Sequence, residues 1–389
     1  MYKPQKSELE QQVFFRRSYD RFLQAKAAVG EINHYYRIGN TTVCLKFAGD
    51  RLVPHLTPAL AHLRLADDAT PDLTICIWDS ESTHVEMIPP PCTKDCFTDR
   101  GDIWGFSSRR IKAAFHWIEC SVNLMDLEAN TGIYWVQTAE TLPYWVFASP
   151  LRSLLHWWME KNGYQLLHAA AVGTDHGAVL ITGKGGVGKS TAALSCLQAG
   201  LFYLADDYVV AGLEPVPAVL SLYSTAKLNA DHVANFPKLS KFVQNPDKLD
   251  QEKAVIFLYP DLNRKLAYEM PLKAILTPQI VNRPDSSTKP VSRWEIQRAM
   301  SFTTMSQLPY VGHHTHDYIS KLALSLPHYI LEVGNDFAGI PKALANFIAD
   351  LNEAPPRQDV EPWTVCRKEE RPLVSVIIPV YNGENFIRE

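Results

Sequence analysis

Gly177-Ala178-Val179-Leu180-Ile181-Thr182-Gly183-Lys184-Gly185-Gly186-Val187-Gly188-Lys189-Ser190-Thr191 is the stretch whose reading decides the fold. The first six residues are a short apolar run of strand type, and the next eight complete the phosphate-binding pattern G-x-x-x-x-G-K-S. The residue types answer to a geometry. Glycines let the backbone curl so that successive N–H groups face a phosphate, and the helix that follows adds the positive end of its dipole. Lys189 then reaches the β- and γ-phosphates, while the Ser190 hydroxyl takes a position on Mg²⁺. Thr191 to Ala199 reads as that helix, with Gly200 placed to end it.

Working outward, Leu201-Phe202-Tyr203-Leu204-Ala205 reads as the next buried strand and ends in Asp206-Asp207. Open α/β sheets bind ligands beyond the carboxyl ends of their strands, so this acidic pair faces the same crevice as the loop. One carboxylate can take a proton from an attacking hydroxyl while the other holds Mg²⁺ directly or through water, Asp207 being the candidate metal residue if Asp206 is the base. Upstream, His168 stands alone in the apolar segment Leu166 to Val172. A lone histidine there is more often a satisfied core residue than a catalytic one.

Together, His168, the loop from Gly183 to Ser190 and Asp206-Asp207 resemble the HPr kinase/phosphorylase family and its HPr-kinase-like relatives, over about His168 to Val210 and less specifically to Asp350. The resemblance implies an α/β P-loop kinase-like domain that uses ATP and Mg²⁺. It implies Lys189 and Ser190 as nucleotide and metal residues and Asp206 as general base, with Asp207 and His168 in support. The acceptor it implies is a serine hydroxyl of a protein or peptide. The residues themselves accept a small-molecule alcohol as well, and leave open which aspartate is the base. Lys184 to Ser190 also fits the deviant phosphate loop of ParA/MinD-type ATPases, in which an early lysine acts across a dimer, so a homo-oligomer stays open. A third reading is a nucleotide-binding regulatory module.

Composition limits the function classes. Hydrophobic content of 46% and charged content of 21% over 389 residues describe a soluble globular chain of two or three domains. A net charge of −4 without a long basic run argues against a nucleic-acid surface. The seven cysteines read as reduced thiols, and with no signal peptide or membrane span in the pattern the expectation is a cytoplasmic protein.

The order of segments follows from periodicity. Residues 1–30 carry an amphipathic helix from Ser7 to Val29. Period-two runs at Thr42–Phe47, Leu73–Trp78, Arg110–Trp117, Ser121–Leu127 and Gly132–Gln137 predict a smaller β-rich α+β domain over 31–150, simplest as an antiparallel meander. The P-loop domain is expected over 151–351, opening with a helix from Leu151 to Lys161. Within it, Arg283 follows a strand end and is a candidate phosphate contact. His313-His314-Thr315-His316-Asp317 has metal-compatible side chains but reads as a solvated loop, and Cys92 with Cys96 as two loop thiols. A charged, proline-containing linker spans 352–371. Residues 372–389, with Val376-Ile377-Ile378-Pro379-Val380-Tyr381-Asn382, resemble the opening of family 2 glycosyltransferases of the GT-A fold. That resemblance implies fusion to a glycosyltransferase, which the regulatory module would gate. Its eighteen residues (389 − 372 + 1) are too few for glycosyl transfer.

Overall fold

The computed structural model describes residues 5–66 and 69–353. The expected linker and glycosyltransferase-like opening lie outside the described residues. Through Asn352 the chain forms one compact unit built on two large mixed sheets.

Helix α1 (Glu8–Val29) starts where the sequence says it should: Ser7 caps Glu10 N–H and the Glu10 side chain reaches back to Ser7, a reciprocal capping box. It covers one face of a seven-stranded sheet. In chain order this part comprises β1 (Glu31–Ile38), β2 (Thr41–Ala48), α2 (Val53–Leu56), β3 (Leu73–Asp79), α3 (Ser80–Thr83), β4 (Asp102–Ser107), β5 (Ile111–His116), β6 (Ser121–Asp126), β7 (Thr131–Val136), α4 (Tyr144–Ala148) and α5 (Arg152–Lys161). The strand order is β1-β2-β3-β7-β6-β5-β4. Strands β4 to β7 form the expected meander, but β3 pairs in parallel with both β2 and β7. The sheet is therefore mixed. Period two identifies a strand and its buried face, and says nothing of the direction of its neighbour.

The second sheet has nine strands: β8 (Gln165–Leu167), β9 (Ala169–Thr174), β10 (Gly177–Thr182), β11 (Phe202–Ala205), β12 (Val209–Gly212), β13 (Ala218–Ser221), β16 (Glu269–Ile280), β17 (Ser287–Pro290) and β18 (His328–Val333). A separate hairpin pairs β14 (Thr225–Leu228) with β15 (Ala254–Phe257). The helices are α6 (Lys189–Gln198), α7 (Pro237–Ser240), α8 (Arg293–Met305), α9 (His313–Ser325) and α10 (Gly339–Glu353). Alternation on β10 shows how the layers form: Val179 and Ile181 join α6 and α10 in one core, and Ala178 and Leu180 join α8 and α9 in another. A third core runs without a break from Leu45, Ile75 and Tyr134 of the first sheet through Leu154, Trp157 and Trp158 of α5 to Val210 and Leu220 of the second.

Two chain crossings place the site. The run Leu166 to Val172 is two strands, β8 and β9, joined at His168, and the run after Leu201 is β11 and β12, joined at Asp206-Asp207-Tyr208. Strand β9 pairs with β11, and β8 pairs with β12 with Val209 opposite Leu167. Both chains thus cross between sections of the sheet side by side, and their joints lie against each other.

The histidine cluster differs from its expectation as a solvated loop: His313 to Asp317 form the first turns of α9, driven by burial of Thr315, Tyr318, Ile319 and Leu322 on one face. Among the described residues no group of three or more metal-ligating side chains is arranged for a metal ion, and no helix is long and apolar enough to cross a membrane.

Candidate phosphate-loop site

Strand β10 delivers the chain into the loop, and the loop turns into α6. Gly186 (φ +81°) and Gly188 (φ +102°) adopt left-handed backbone that a side chain disfavours, and space around Gly186 is open for a ligand to approach the main chain. Gly188 is the residue before the first turn of α6, so the helix N–H groups open toward the cavity. That cavity, about 500 Å³, is walled by His168, Lys189, Ser190, Asp206, Asp207 and Lys227. Every one of the three expected elements, histidine, loop and acidic pair, is thus in one place.

Lys189 is buried, and its ammonium donates to the carbonyl oxygens of Gly183 (2.6 Å) and Lys184 (3.2 Å). Burial lowers its pKa, and the two aspartates oppose that. Lys184 itself is exposed on the loop, Val187 is half-buried, and Thr191 is buried in the first turn of α6.

The two carboxylates have different surroundings. Asp206 is 3% exposed; Oδ2 accepts the Lys227 N–H at 2.9 Å and the Ser190 hydroxyl also donates to the carboxylate. Burial, and then the charge of Asp207, push its pKa up to about 6. Asp207 is also penalised by burial, yet its pKa is held well below the usual carboxylate range because the Lys227 ammonium lies 2.5 Å from Oδ2 and His168 Nε2 lies 3.2 Å from Oδ1. Ser149, after α4, adds a donor to Oδ2 at 3.4 Å. Both oxygens of Asp207 are therefore engaged. For Lys227, burial alone would lower the pKa, and Asp207 reverses the direction.

His168 is buried, and desolvation lowers its pKa against the pull of Asp207. Its Nδ1 meets Nε2 of Gln307 at 3.3 Å, and its backbone N–H donates to Thr304 Oγ1 of α8 at 3.2 Å. Arg283 is placed elsewhere: its guanidinium pairs with Glu332 at 2.5 Å and with Ser287 on the β17–β18 surface, outside the cavity wall.

Sequence reasoning missed Lys227, Gln307 and Ser149. Lys227 sits on β14, and its alternation between buried Ala226 and Leu228 was the available signal. Nothing local marks Gln307, which is 139 positions from His168.

No family model matches the chain, and no curated protein matches it. Among solved structures it is similar to an HPr(Ser) kinase/phosphatase from Coxiella burnetii, at 12% identity and a TM-score of 0.28, covering 48% of this chain and 98% of that one.

Proposed function

We propose that this chain is an ATP-dependent phosphotransferase that moves the γ-phosphoryl group to a hydroxyl, with a serine of a protein or peptide as the acceptor class. The observation that carries the reading is Asp206: a buried carboxylate with a raised pKa, beside the phosphate-loop serine, in a cavity of about 500 Å³. Triphosphate binding draws Lys189 from the Gly183 carbonyl onto the phosphates. Ser190 would hold Mg²⁺, and its hydroxyl beside a carboxylate is the hard-oxygen environment that ion favours. When bound, the metal supplies charge neutralisation on the phosphates.

In the reaction Asp206 accepts the acceptor's O–H proton as the oxygen bonds to the γ-phosphorus, and the bond to the β-bridging oxygen breaks with its electron pair leaving on ADP. A base of pKa about 6 is matched to this task near neutral pH. We assign Asp207 a different part from metal binding: with its oxygens taken by His168, Lys227 and Ser149, it holds Lys227 in the cavity wall.

Transfer of labelled γ-phosphate from ATP with Mg²⁺, in wild type and Asp206→Asn with cell lysate as acceptor source, tests this. A labelled acceptor that disappears in the variant supports it. Tight ATP binding with no labelled product in either protein overturns it in favour of a nucleotide-binding module.

A further inference from the structure

We infer that Arg152, at the start of α5, sets the proton position on His168 through Tyr208 and Gln307, and so fixes the histidine as a neutral donor to Asp207. Each link has a direction. An arginine side chain can only donate. Its Nη1 donates to Tyr208 Oη at 3.1 Å, with the guanidinium carbon 5.1 Å from the Tyr208 ring centre. The tyrosine proton then goes to Gln307 Oε1, the one acceptor it meets among the described residues. With its oxygen so used, Gln307 turns its amide nitrogen to His168 Nδ1 at 3.3 Å. That nitrogen must accept, so the ring proton resides on Nε2 and is donated to Asp207 Oδ1 at 3.2 Å.

The middle links of the chain of bonds are anchored. Tyr208 is buried, and its ring lies 5.4 Å from that of His168. The segment carrying Gln307 is clamped by the first half of the protein: Asp102 accepts from Tyr310 N–H at 2.5 Å, and Trp157 of α5 donates to the Pro309 carbonyl at 3.2 Å. The first half therefore reaches the phosphate-loop site through a directed hydrogen-bond path as well as through the shared core.

The functional consequence rests on the phosphotransferase reading: with both ring nitrogens committed, His168 is a positioning residue for Asp207 and not a second base. The tautomer itself does not rest on it. Nitrogen-15 NMR of histidine-labelled full-length protein, with the His168 signals assigned by difference from His168→Gln, reads it without nucleotide or acceptor. The wild type is expected to show Nε2 of pyrrole type and Nδ1 of pyridine type. In Tyr208→Phe, Gln307 is free to reverse its amide, and the two resonances move toward each other; Gln307→Glu, which offers only acceptors, moves the proton onto Nδ1 or charges the ring. A wild-type ring protonated on Nδ1, or on both nitrogens, at neutral pH overturns the inference, as does an unchanged tautomer in both folded variants. Absence of phosphoryl transfer would leave this result standing, and a failed tautomer test would leave the transfer assay standing.

Discussion

Lys227 holds Asp207 through its ammonium, 2.5 Å from Oδ2, while its own backbone N–H donates to the neighbouring Asp206 at 2.9 Å. One residue on β14 thereby gives two adjacent carboxylates opposite electrostatic fates. The side chain neutralises Asp207, and Asp206 is left with hydrogen bonds but no full countercharge. Lys227→Met should therefore strand Asp207 in a largely buried position. Breaking such a pair costs on the order of 3 kcal/mol, read as a lower denaturant midpoint at pH 7. The loss should shrink as pH falls and the stranded carboxyl takes up a proton; a pH-independent loss would mean that the lysine acts by packing alone.

Asp206 predicts a trade between stability and activity. Its folded pKa is raised above the ordinary 3.8 to about 6, so its favourable contribution is fully present below the unfolded value and is lost as pH rises through about 6. Asp207 has the opposite sign: its contribution is present above the ordinary value and is lost as pH falls through its lowered one. Asp206→Asn should accordingly be more stable than wild type at pH 7–8, by on the order of 1–3 kcal/mol, with the gain fading below pH 5. Chemical denaturation at several pH values measures it.

As the proposed base, Asp206 should set an acid limb on catalysis. Wild-type kcat/KM for phosphoryl transfer should rise with pH to a plateau above about 6, as Asp206 becomes the ionised base. Asp206→Asn should lose ~10²–10⁴-fold in rate while keeping ATP affinity, and what remains should lack that limb. A variant that retains the limb would assign it to another group.

The loop, α1 and the acidic pair were legible in the sequence because each depends on residues a few positions apart. Ser7 with Glu10 makes a cap, and Gly183 to Ser190 makes a cradle, before any tertiary contact forms. Gln307 and Arg152 were not legible, because their positions follow from tertiary pairing, and for Lys227 the local alternation marks a strand but not its place beside the acidic pair. The joint at His168 meets the joint at Asp207 only once β8 pairs with β12 and β9 with β11. The parallel placement of β3 between β2 and β7 is likewise invisible to an alternation that reads the same in either direction. For Arg283, position after a strand end was a fair signal, but Glu332 on β18 and Lys289 on β17 turn it into a surface ion-pair cluster.

Arg283→Ala should for that reason leave phosphoryl transfer within about twofold of wild type and change stability by less than about 1 kcal/mol, the usual range for exposed pairs. The side chain is 48% exposed and bound to Glu332 and Ser287, so its removal leaves the cavity wall intact. The contrasting variant is Lys253→Ala. Lys253 lines the cavity, is exposed, has no carboxylate in ion-pair range among the described residues, and acts electrostatically on Lys189. Its loss should raise the KM for ATP several-fold. Equal kinetics for both alanine variants would remove Lys253 from the phosphate site, and a large loss in Arg283→Ala alone would restore the arginine to it.

The two loop lysines separate a kinase-like site from a dimeric ATPase. Lys189 is buried on the carbonyls of Gly183 and Lys184 and must exchange them for phosphate oxygens, so Lys189→Met should abolish measurable ATP binding while the apo fold keeps its melting temperature within a few degrees. Lys184 is exposed and contributes only its carbonyl oxygen to that arrangement. Lys184→Ala should therefore change ATP affinity and transfer by less than about threefold. Light scattering with and without ATP decides the matter. ATP-dependent dimerisation that vanishes in Lys184→Ala would establish a lysine acting across two copies, and with it the ATPase reading; an unchanged mass in wild type and variant keeps the chemistry within one chain, on Lys189, Ser190 and Asp206.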